Sequence, residues 1–467
     1  MKSKKQLTLA LALTLALGGS VPVWAEHIQD KTLTKGDWTL GEELYMEKSH
    51  ITADQVSLDG SSIPAANDPV MIVKSSLEGK KGITFSKLTV PFPNLDYHPA
   101  GVELQSSTLA APVISISGVI SSKDNQVDTI IGLYSEPVKD DATRKMVQNN
   151  LITDWLHVDG VTTDMAQEVY GTLLGAADLS PYTEGGKTNV TVENVANTTD
   201  SPDGSLAFGL GNSLGMINDD NLEESKDLPF VVTGKTQIRN ISSTKGSAVG
   251  TVLYGISGYD MDHSHTDFHD LEISDIHGGD LSVGLYGGTG VVNVENADIN
   301  MTGKENEYAG LYTASVPDYQ AAYLKQFAIA GPFLGKINFN NPDGSYTING
   351  NVIADAGNEL QKDEVAYQYY KNQYEDSENS EGQREYAKEL MDGLEPTIQF
   401  FKEKQYGSIN LAGHLKLYGD IYAKNGGTVN IHLQDGSYFE GQADDYADFD
   451  AAGQLTPPPG GRIFRLE

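Results

Sequence analysis

The sequence lacks cysteine altogether and is poor in positively charged residues. With no Cys among 467 residues, neither disulfide bonds nor thiolate-bound metal can stabilise the fold. Its 32 Lys and Arg stand against 65 Asp and Glu, which gives a formal net charge of -33. The arginines are scattered, at Arg144, Arg239, Arg384, Arg462 and Arg465. Since a phosphate backbone is bound by clustered Lys and Arg, these features exclude a nucleic-acid partner.

Long apolar runs are also missing, apart from one at the N-terminus. Lys2, Lys4 and Lys5 precede an apolar segment at 7–17, and a small-residue site follows that ends at Ala25. This order is typical of a secretory signal peptide, predicted at residues 1–25, and the run is too short to span a membrane as a helix. We therefore expect an exported protein, at the cell surface, at the outer membrane or outside the cell. The absence of thiols suits passage through the oxidising periplasm of a Gram-negative cell.

Residues 236–313 repeat one pattern three times. Each unit has a short alternating apolar segment, a polar connection, and then an aliphatic residue and a Tyr beside Gly, as in Val-Leu-Tyr-Gly at 252–255, Gly-Leu-Tyr-Gly at 284–287 and Gly-Leu-Tyr at 310–312. The connections are too long for a tight hairpin, so we interpret the units as successive turns of a coil. The recurrence predicts an all-β dominated fold, a parallel β-helix or solenoid.

Changes in this rhythm indicate how the chain is organised. The irregular region 26–105 is interpreted as an N-terminal β cap over the first turn, and residues 106–443 as the β-helix itself. Residues 444–467 are a truncated tail or the next turn. Helical insertions are expected near 136–177, 316–330 and 360–404.

Apolar residues at helical spacing support the first and third insertions. Val147, Leu151 and Trp155 recur every four residues, and 166–174 supply a second apolar face, which together predict a helical hairpin. In 360–404, tyrosines share one face, and a second apolar face follows a polar turn, which predicts another hairpin.

A pentapeptide also recurs, as Val-Thr-Val-Glu-Asn at 190–194 and Val-Asn-Val-Glu-Asn at 292–296. Equivalent Asn residues on stacked turns can form ladders of side-chain amides along the coil axis. We therefore interpret Asn194 and Asn296 as equivalent, structural residues.

The C-terminal part carries the clearest alternating pattern. Residues 426–433 read Gly-Gly-Thr-Val-Asn-Ile-His-Leu, and 436–441 read Gly-Ser-Tyr-Phe-Glu-Gly. Such a strand followed by Gly-Ser-Tyr-Phe-x-Gly resembles the passenger domain of autotransporters, the type V secretion proteins, over residues 113–443. The resemblance implies a right-handed parallel β-helix, with an outer-membrane barrel in the full-length protein. We expect the present sequence to be a fragment that ends within the passenger.

The densest group of potential metal ligands lies at 262–270. His263, His265, Asp267 and His269 would face one side of an extended strand, and imidazole with carboxylate suits Zn²⁺ or another divalent transition ion. The spacing matches no metal-site motif, so we interpret the segment as a polar loop between turns. The sequence assigns no catalytic residue and no cofactor.

Two functions remain open at this level. The resemblance implies a non-catalytic adhesin or interaction stalk, whose partner is a host, matrix or neighbouring-cell surface protein or glycan. The alternative is a β-helix enzyme that acts on polysaccharides. The scattered arginines argue against a lyase for acidic sugars, whereas 65 acidic residues guarantee carboxylate pairs of the kind that a glycan hydrolase uses.

Overall fold

Parallel strands dominate the chain and form two large sheets. The computed structural model describes residues 26–63, 69–90, 100–121, 129–136, 138–139, 146–175, 177–200, 205–213, 229–254, 265–279, 281–301, 326–331, 334–355, 359–377, 379–404, 407–424, 427–441, 443–445, 448–449, 455–456 and 462–464. Within these residues the chain is mostly strand, with two α-helices and a short 3₁₀ helix at Gly60–Ser62. The predicted parallel β-helix is confirmed, whereas its right-handed winding stays a prediction.

The sheet that we call the narrow sheet takes one short strand from each turn of the coil. Within the described residues it has 13 strands, each paired in parallel with its neighbours. The strands are Glu26–Gln29, Leu44–Glu47, Val70–Val73, Ala100–Gln105, Thr129–Glu136, Glu168–Leu174, Leu206–Ser213, Ser247–Tyr254, Leu281–Gly287, Gln326–Gly331, Asn351–Asp355, Ile421–Lys424 and Ala443–Asp445.

The second sheet, which we call the wide sheet, closes the rest of the coil. It has 20 strands within the described residues, again paired in parallel. The strands are Thr32–Thr34, Asp37–Leu40, His50–Asp59, Ser76–Ser86, Thr89–Val90, Thr108–Ala110, Val113–Ser121, Asn150–Ile152, Trp155–Thr163, Asp178–Ser180, Asn189–Asn197, Phe230–Ser243, His265–Gly278, Thr289–Asn300, Leu334–Phe339, Ser345–Asn349, Ser408–Tyr418, Thr428–Leu433, Tyr438–Glu440 and Arg462–Phe464. Two small antiparallel pairs also form, Val138–Lys139 with Met146–Val147 and Asp448–Phe449 with Leu455–Thr456.

The core consists of columns of residues from successive turns. In one column Leu133 pairs in register with Thr172, and the pairing continues through Leu210 to Leu285. All three leucines are fully buried, and each such burial contributes about 2 kcal/mol. Gly-Leu-Tyr at 132–134 and at 284–286 therefore occupy equivalent places on their turns. The predicted equivalence of 252–255 with 284–287 is wrong, because Thr251 pairs with Leu285 and Leu253 with Gly287. The third unit, at 310–312, lies outside the described residues.

A column of glycines explains the Gly of the repeat. A Cβ atom built on Gly132 would lie 2.5 Å from the carbonyl oxygen of Gly171, and one on Gly171 would lie 2.8 Å from that of Gly209. The series continues to Gly250, since a Cβ on Gly209 would lie 2.5 Å from its oxygen. Carbon and oxygen cannot approach so closely, so only Gly fits where the neighbouring backbone comes this near.

A residue in the left-handed backbone region bends many wide-sheet strands. The φ angle is +65° at Gly118, +58° at Asn194 and +56° at Asn240, each directly after residues that pair in register on successive turns. Gly and Asn adopt this region at the lowest cost. The bend resets the alternation of side chains, so that both Ile116 and Val119 point into the core.

The narrow sheet is apolar on both faces. Leu133 belongs to the main core, whereas its neighbours Ile131 and Tyr134 form a separate buried cluster on the opposite face. On that outer face Tyr170 and Phe208 stack with 4.5 Å between their ring centroids. The Tyr of the repeat therefore packs in a second apolar layer, outside the coil.

Amide side chains form a ladder along the coil axis. Asn338 donates to Asn293 at 2.8 Å, Asn410 to Asn338 at 2.7 Å, and Asn430 to Asn410 at 2.7 Å. The ladder joins four wide-sheet strands, because these residues are register partners. Ladders of Asn side chains were predicted, and this ladder confirms that they form. It does not contain Asn194 or Asn296, the two residues that the pentapeptides align.

The expected equivalence of Asn194 and Asn296 is wrong. Asn194 lies at a strand bend, whereas Asn296 pairs in register with Asp270 and donates to the carbonyl of His269. Val190 corresponds in register to Ala297, through Thr236 and Leu271, so the residue that matches Asn296 on the earlier turn is Asn189. The two pentapeptides are similar as sequences but occupy different places on their turns.

The helical hairpin predicted near 136–177 is also wrong. Trp155–Thr163 is a strand of the wide sheet that pairs in parallel with Val113–Ser121 on one side and Asn189–Asn197 on the other. Leu151 is buried, but Trp155 is 40% exposed, so the two do not share an apolar face. Pairing with two neighbouring turns satisfies the backbone and buries Leu156, which outweighs the weak helical spacing.

Region 26–105 is not a separate cap. Its strands are turns of the same coil, since Leu44 pairs in register with Val70 and Val70 with Val102. Bonded partners are 18 residues apart at Thr39 and Ser57, and 26 apart at Ser49 and Ser75. Turn length therefore changes from one turn to the next, which explains why no constant rhythm is visible in this part of the sequence.

The other two insertions have different outcomes. Most of the helix predicted near 316–330 lies outside the described residues, and 326–330 belongs to a strand that pairs with Leu281–Gly287, so the prediction is wrong there. The hairpin predicted at 360–404 is confirmed, as helices Glu359–Glu375 and Glu381–Lys404. In the tail, Arg462–Phe464 pairs in parallel with Thr428–Leu433, which supports the next-turn interpretation for that segment.

Candidate functional site

The outer face of the wide sheet brings polar side chains from successive turns together. His157 and Asp159 lie on one strand with Val158 between them, and because strand side chains alternate, both point outward while Val158 is buried in the core. Asp159 pairs in register with Glu193 on the next turn. We call His157, Asp159 and Glu193 the His157 cluster.

Short contacts hold the cluster together. His157 Nε2 lies 2.8 Å from Glu193 Oε1, which accepts a hydrogen bond from the ring, and the next turn supplies Arg239, whose Nε donates to Glu193 Oε2 at 2.5 Å. One imidazole nitrogen and one oxygen of each carboxylate lie within 4.8 Å of one another. The side chains of His157 and Glu193 are 22% and 15% exposed, so the cluster is partly desolvated yet reachable from solvent.

The cations on this face control the protonation of its carboxylates. The hydrogen bond from Arg239, and after it that from His157, lowers the pKa of Glu193 below its ordinary value, while Glu193 in turn raises the pKa of Arg239. One turn further on, Lys235 lowers the pKa of Glu272 in the same way. Both carboxylates therefore stay ionised, which suits binding of a cation better than donation of a proton.

Neighbouring groups fix the orientation of each member. The ring of Trp155 stacks on His157 with 5.0 Å between centroids and an 11° angle between the planes, and its indole N–H donates to Thr191 Oγ1 at 3.0 Å. Asn194 donates to Asp159 Oδ1 at 2.6 Å. The cluster is thus held on a rigid sheet by contacts to every ligand group.

The histidines singled out from the sequence do not converge in the described residues. His263 lies outside them. His265 Nε2 is 3.3 Å from Asp267 Oδ2, while His269 bonds to Glu295 through Nδ1 at 2.5 Å and to Lys187 through Nε2 at 2.9 Å. The interpretation of this segment as a polar loop is wrong for 265–270, which belongs to the strand His265–Gly278. On that strand His265, Asp267 and His269 share one side, since their burial alternates with that of their neighbours. Their partners divide them into separate pairs.

The His157 cluster was not predicted from the sequence. His157 lies in the region 136–177, for which a helical hairpin was predicted, and its partner Glu193 is 36 residues away. The available signal was the alternation of Trp155–Thr163 itself, in which Leu156, Val158 and Val161 point inward and His157 and Asp159 point outward.

The helical hairpin presents a different kind of surface. Tyr386 is 63% exposed and Tyr369 58% exposed, and Val365 is also exposed on the first helix. Ala387 and Ile398 are buried, and Lys402 pairs with Glu364 across the two helices at 2.6 Å. Among the described elements, the helices pack on each other and neither has a comparable interface with a strand.

Local sequence explains where the second helix begins. Ser380 accepts from the backbone N–H of Gln383, and the Gln383 side chain accepts from the backbone N–H of Ser380 at 3.0 Å. This reciprocal arrangement is a capping box, which satisfies amide groups at a helix N-terminus. The hairpin joins Asn351–Asp355 of the narrow sheet to Ser408–Tyr418 of the wide sheet, so it is inserted within one turn of the coil.

Comparisons of the chain with protein-family models, with curated proteins and with solved structures found no match. Among the described residues, neither helix combines the length and apolar character that crossing a membrane requires.

Proposed function

We propose that the protein is an exported, non-catalytic interaction stalk on a Gram-negative cell, similar to the passenger of an autotransporter. The observation that carries the proposal is the hairpin Glu359–Lys404, inserted in one turn of a continuous coil and exposing aromatic side chains. The coil supplies a rigid support, because each turn is bonded in register to the next. Exposed Tyr is enriched in protein contacts, where it combines apolar area with a polar group.

The chemistry of the hairpin indicates the kind of partner. Asp and Glu outnumber Lys and Arg between 359 and 404. An acidic surface with exposed Tyr369, Tyr386 and Val365 is complementary to a surface that combines basic groups with apolar patches. A host, matrix or neighbouring-cell surface protein or glycoconjugate with such a surface is the proposed partner.

The experiment compares binding by two Tyr-substituted variants. The mature chain is tested on arrays of matrix proteins, cell-surface proteins and glycans, beside Tyr369→Ser/Tyr386→Ser and the control Tyr418→Ser/Tyr438→Ser on the coil. Tyr418 and Tyr438 are also exposed, with 5.4 Å between centroids. Binding should be lost in the hairpin variant and kept in the control. Equal binding by both variants would overturn the role of the hairpin.

A polysaccharide hydrolase is the second candidate. The observation that favours it is the exposed Trp155 beside Asp159 and Glu193, since sugars stack on such rings and hydrolases use carboxylate pairs. The lowered pKa of Glu193 disfavours it as a general acid. Release of reducing ends from a panel of polysaccharides, abolished by Asp159→Asn, would replace the stalk proposal with the enzyme.

A further inference from the structure

We propose that His157, Asp159 and Glu193 form a binding site for a divalent transition-metal ion such as Zn²⁺. One ligand atom from each residue lies within 4.8 Å of the others, and two adjacent turns contribute them. Ligand atoms about 2 Å from a tetrahedral ion are about 3.3 Å apart. Side-chain rotations that move each ligand atom by about 1 Å are therefore enough to close the site around the ion. The site is independent of the proposed interaction function of the hairpin.

The donor set selects the class of ion. An imidazole with two carboxylates suits Zn²⁺ and its transition-metal neighbours, whereas Ca²⁺ and Mg²⁺ prefer oxygen ligands alone. His157 Nε2 donates its proton to Glu193 Oε1 at 2.8 Å in the metal-free arrangement. On binding, the neutral ring carries its proton on Nδ1 instead, so that the Nε2 lone pair takes the ion.

The charges around the cluster allow a dication. With His157 neutral, the two carboxylates and Arg239 together carry one net negative charge. A bound dication changes the net charge of the cluster from one negative unit to one positive unit. Arg239 Nε holds Glu193 Oε2, which leaves Oε1 for the ion. Glu193 therefore serves as a ligand through one oxygen.

Groups around the ligands hold them ready to bind. Trp155 stacks on the imidazole of His157, Asn194 donates to Asp159 and Arg239 to Glu193. Partners of this kind orient metal ligands, and their loss weakens metal binding about 10–100-fold. Each of the three ligands has one such partner.

The chain provides a matched control in His269. It also lies on the outer face of the wide sheet and bonds to a carboxylate, Glu295, but its other nitrogen bonds to Lys187. Both ring nitrogens of His269 are therefore engaged, and within the described residues His269 and Glu295 do not belong to a group of three potential ligands. Any binding that merely reports an exposed His and carboxylate pair would appear at His269 as well.

Metal-free mature protein is titrated with Zn²⁺ by calorimetry and with Co²⁺ by visible absorption. We expect one tight site per chain, with Co²⁺ bands that are lost in His157→Asn and Asp159→Asn and retained in His269→Asn. Unchanged binding in His157→Asn and Asp159→Asn, equal loss in His269→Asn, or no binding to the wild-type chain would overturn the proposal. Circular dichroism of each variant checks that the coil is folded.

A second variant tests the orienting role of Asn194. Asn194→Gly keeps a residue suited to the positive φ, since Gly118 and Gly160 adopt it at the same place on earlier turns. It removes the amide that holds Asp159, together with the hydrogen bond that Asn194 accepts from Asn240 at 2.6 Å. We expect Zn²⁺ affinity to fall about tenfold or more with the coil intact. Affinity equal to that of the wild type would show that the ligands are not preorganised, contrary to the proposal.

Discussion

The carbonyl oxygen of Gly250 occupies the space that a side chain on Gly209 would need. A Cβ atom on Gly209 would lie 2.5 Å from that oxygen and 2.7 Å from Cγ2 of Ile238, which belongs to the wide sheet. The glycine column is therefore the line along which the narrow sheet approaches both its neighbouring turn and the opposite wall of the coil.

Gly209→Ala is expected to lower the free energy of unfolding by about 1–3 kcal/mol, because the added methyl must displace backbone. Urea unfolding followed by tryptophan fluorescence measures the change, since Trp38 and Trp155 both lie in the coil. The control is Gly393→Ala in the hairpin, where an added Cβ meets nothing within 4 Å and the fluorescence transition should not move. An unchanged transition in Gly209→Ala would contradict the packing argument.

Asn410 lies in the middle of the amide ladder, so its removal should affect two turns. Asn410→Ala deletes one hydrogen bond to Asn338 and one from Asn430, and we expect a loss of about 1–3 kcal/mol in unfolding free energy. Thermal and urea unfolding measure it. His432→Ala, at an exposed position on the adjacent strand, is the control and should stay within about 0.5 kcal/mol of the wild type.

The sequence predicted those parts of the fold that depend on local pattern or on a visible repeat. Leu133 and Leu285 fall in one core column because their turns share the Gly-Leu-Tyr motif, and the hairpin at 360–404 follows from helical spacing within one segment. Both signals are contained in a short stretch of chain. The prediction failed at Trp155, where pairing with neighbouring turns decided the structure.

Register between turns could not be read from the sequence, because turn length varies. Bonded partners are 18 residues apart at Thr39 and Ser57, 26 at Ser49 and Ser75, and 42 at Ser107 and Asn149. The His157 cluster depends on such a register, as does the difference between the two Asn pentapeptides. Local alternation fixes which side chains point outward, whereas the length of each connection fixes which of them meet.

Glu193 is expected to make part of the stability depend on pH. Arg239 and His157 lower its folded pKa below the ordinary value of 4.5. A lowered pKa means that the stabilisation is fully present above the unfolded value and is lost as the pH falls through the folded value. Glu193→Gln should therefore flatten the decline of Tm on acidification below about pH 4.5, and should lower Tm near neutral pH.

Tm measured in buffers from about pH 3 to pH 7 tests this behaviour of Glu193. Glu389→Gln, at an exposed position in the hairpin, is the matched control and should leave the profile unchanged. A Glu193→Gln profile parallel to that of the wild type at every pH would show that the contacts of Glu193 do not contribute to acid sensitivity.

The hairpin should unfold without the coil, because among the described elements its two helices pack on each other and not on a sheet. Ile398 is 6% exposed, so Ile398→Asp places a charge between the helices and should remove the helical signal in far-UV circular dichroism. Tryptophan fluorescence should keep its transition, since Trp38 and Trp155 lie in the coil. Val365→Asp, at a 64% exposed position, is the control and should change neither signal. A fluorescence transition that shifts together with the helical signal would make the hairpin part of the coil's own stability, and its contact surface could then not vary independently of the stalk.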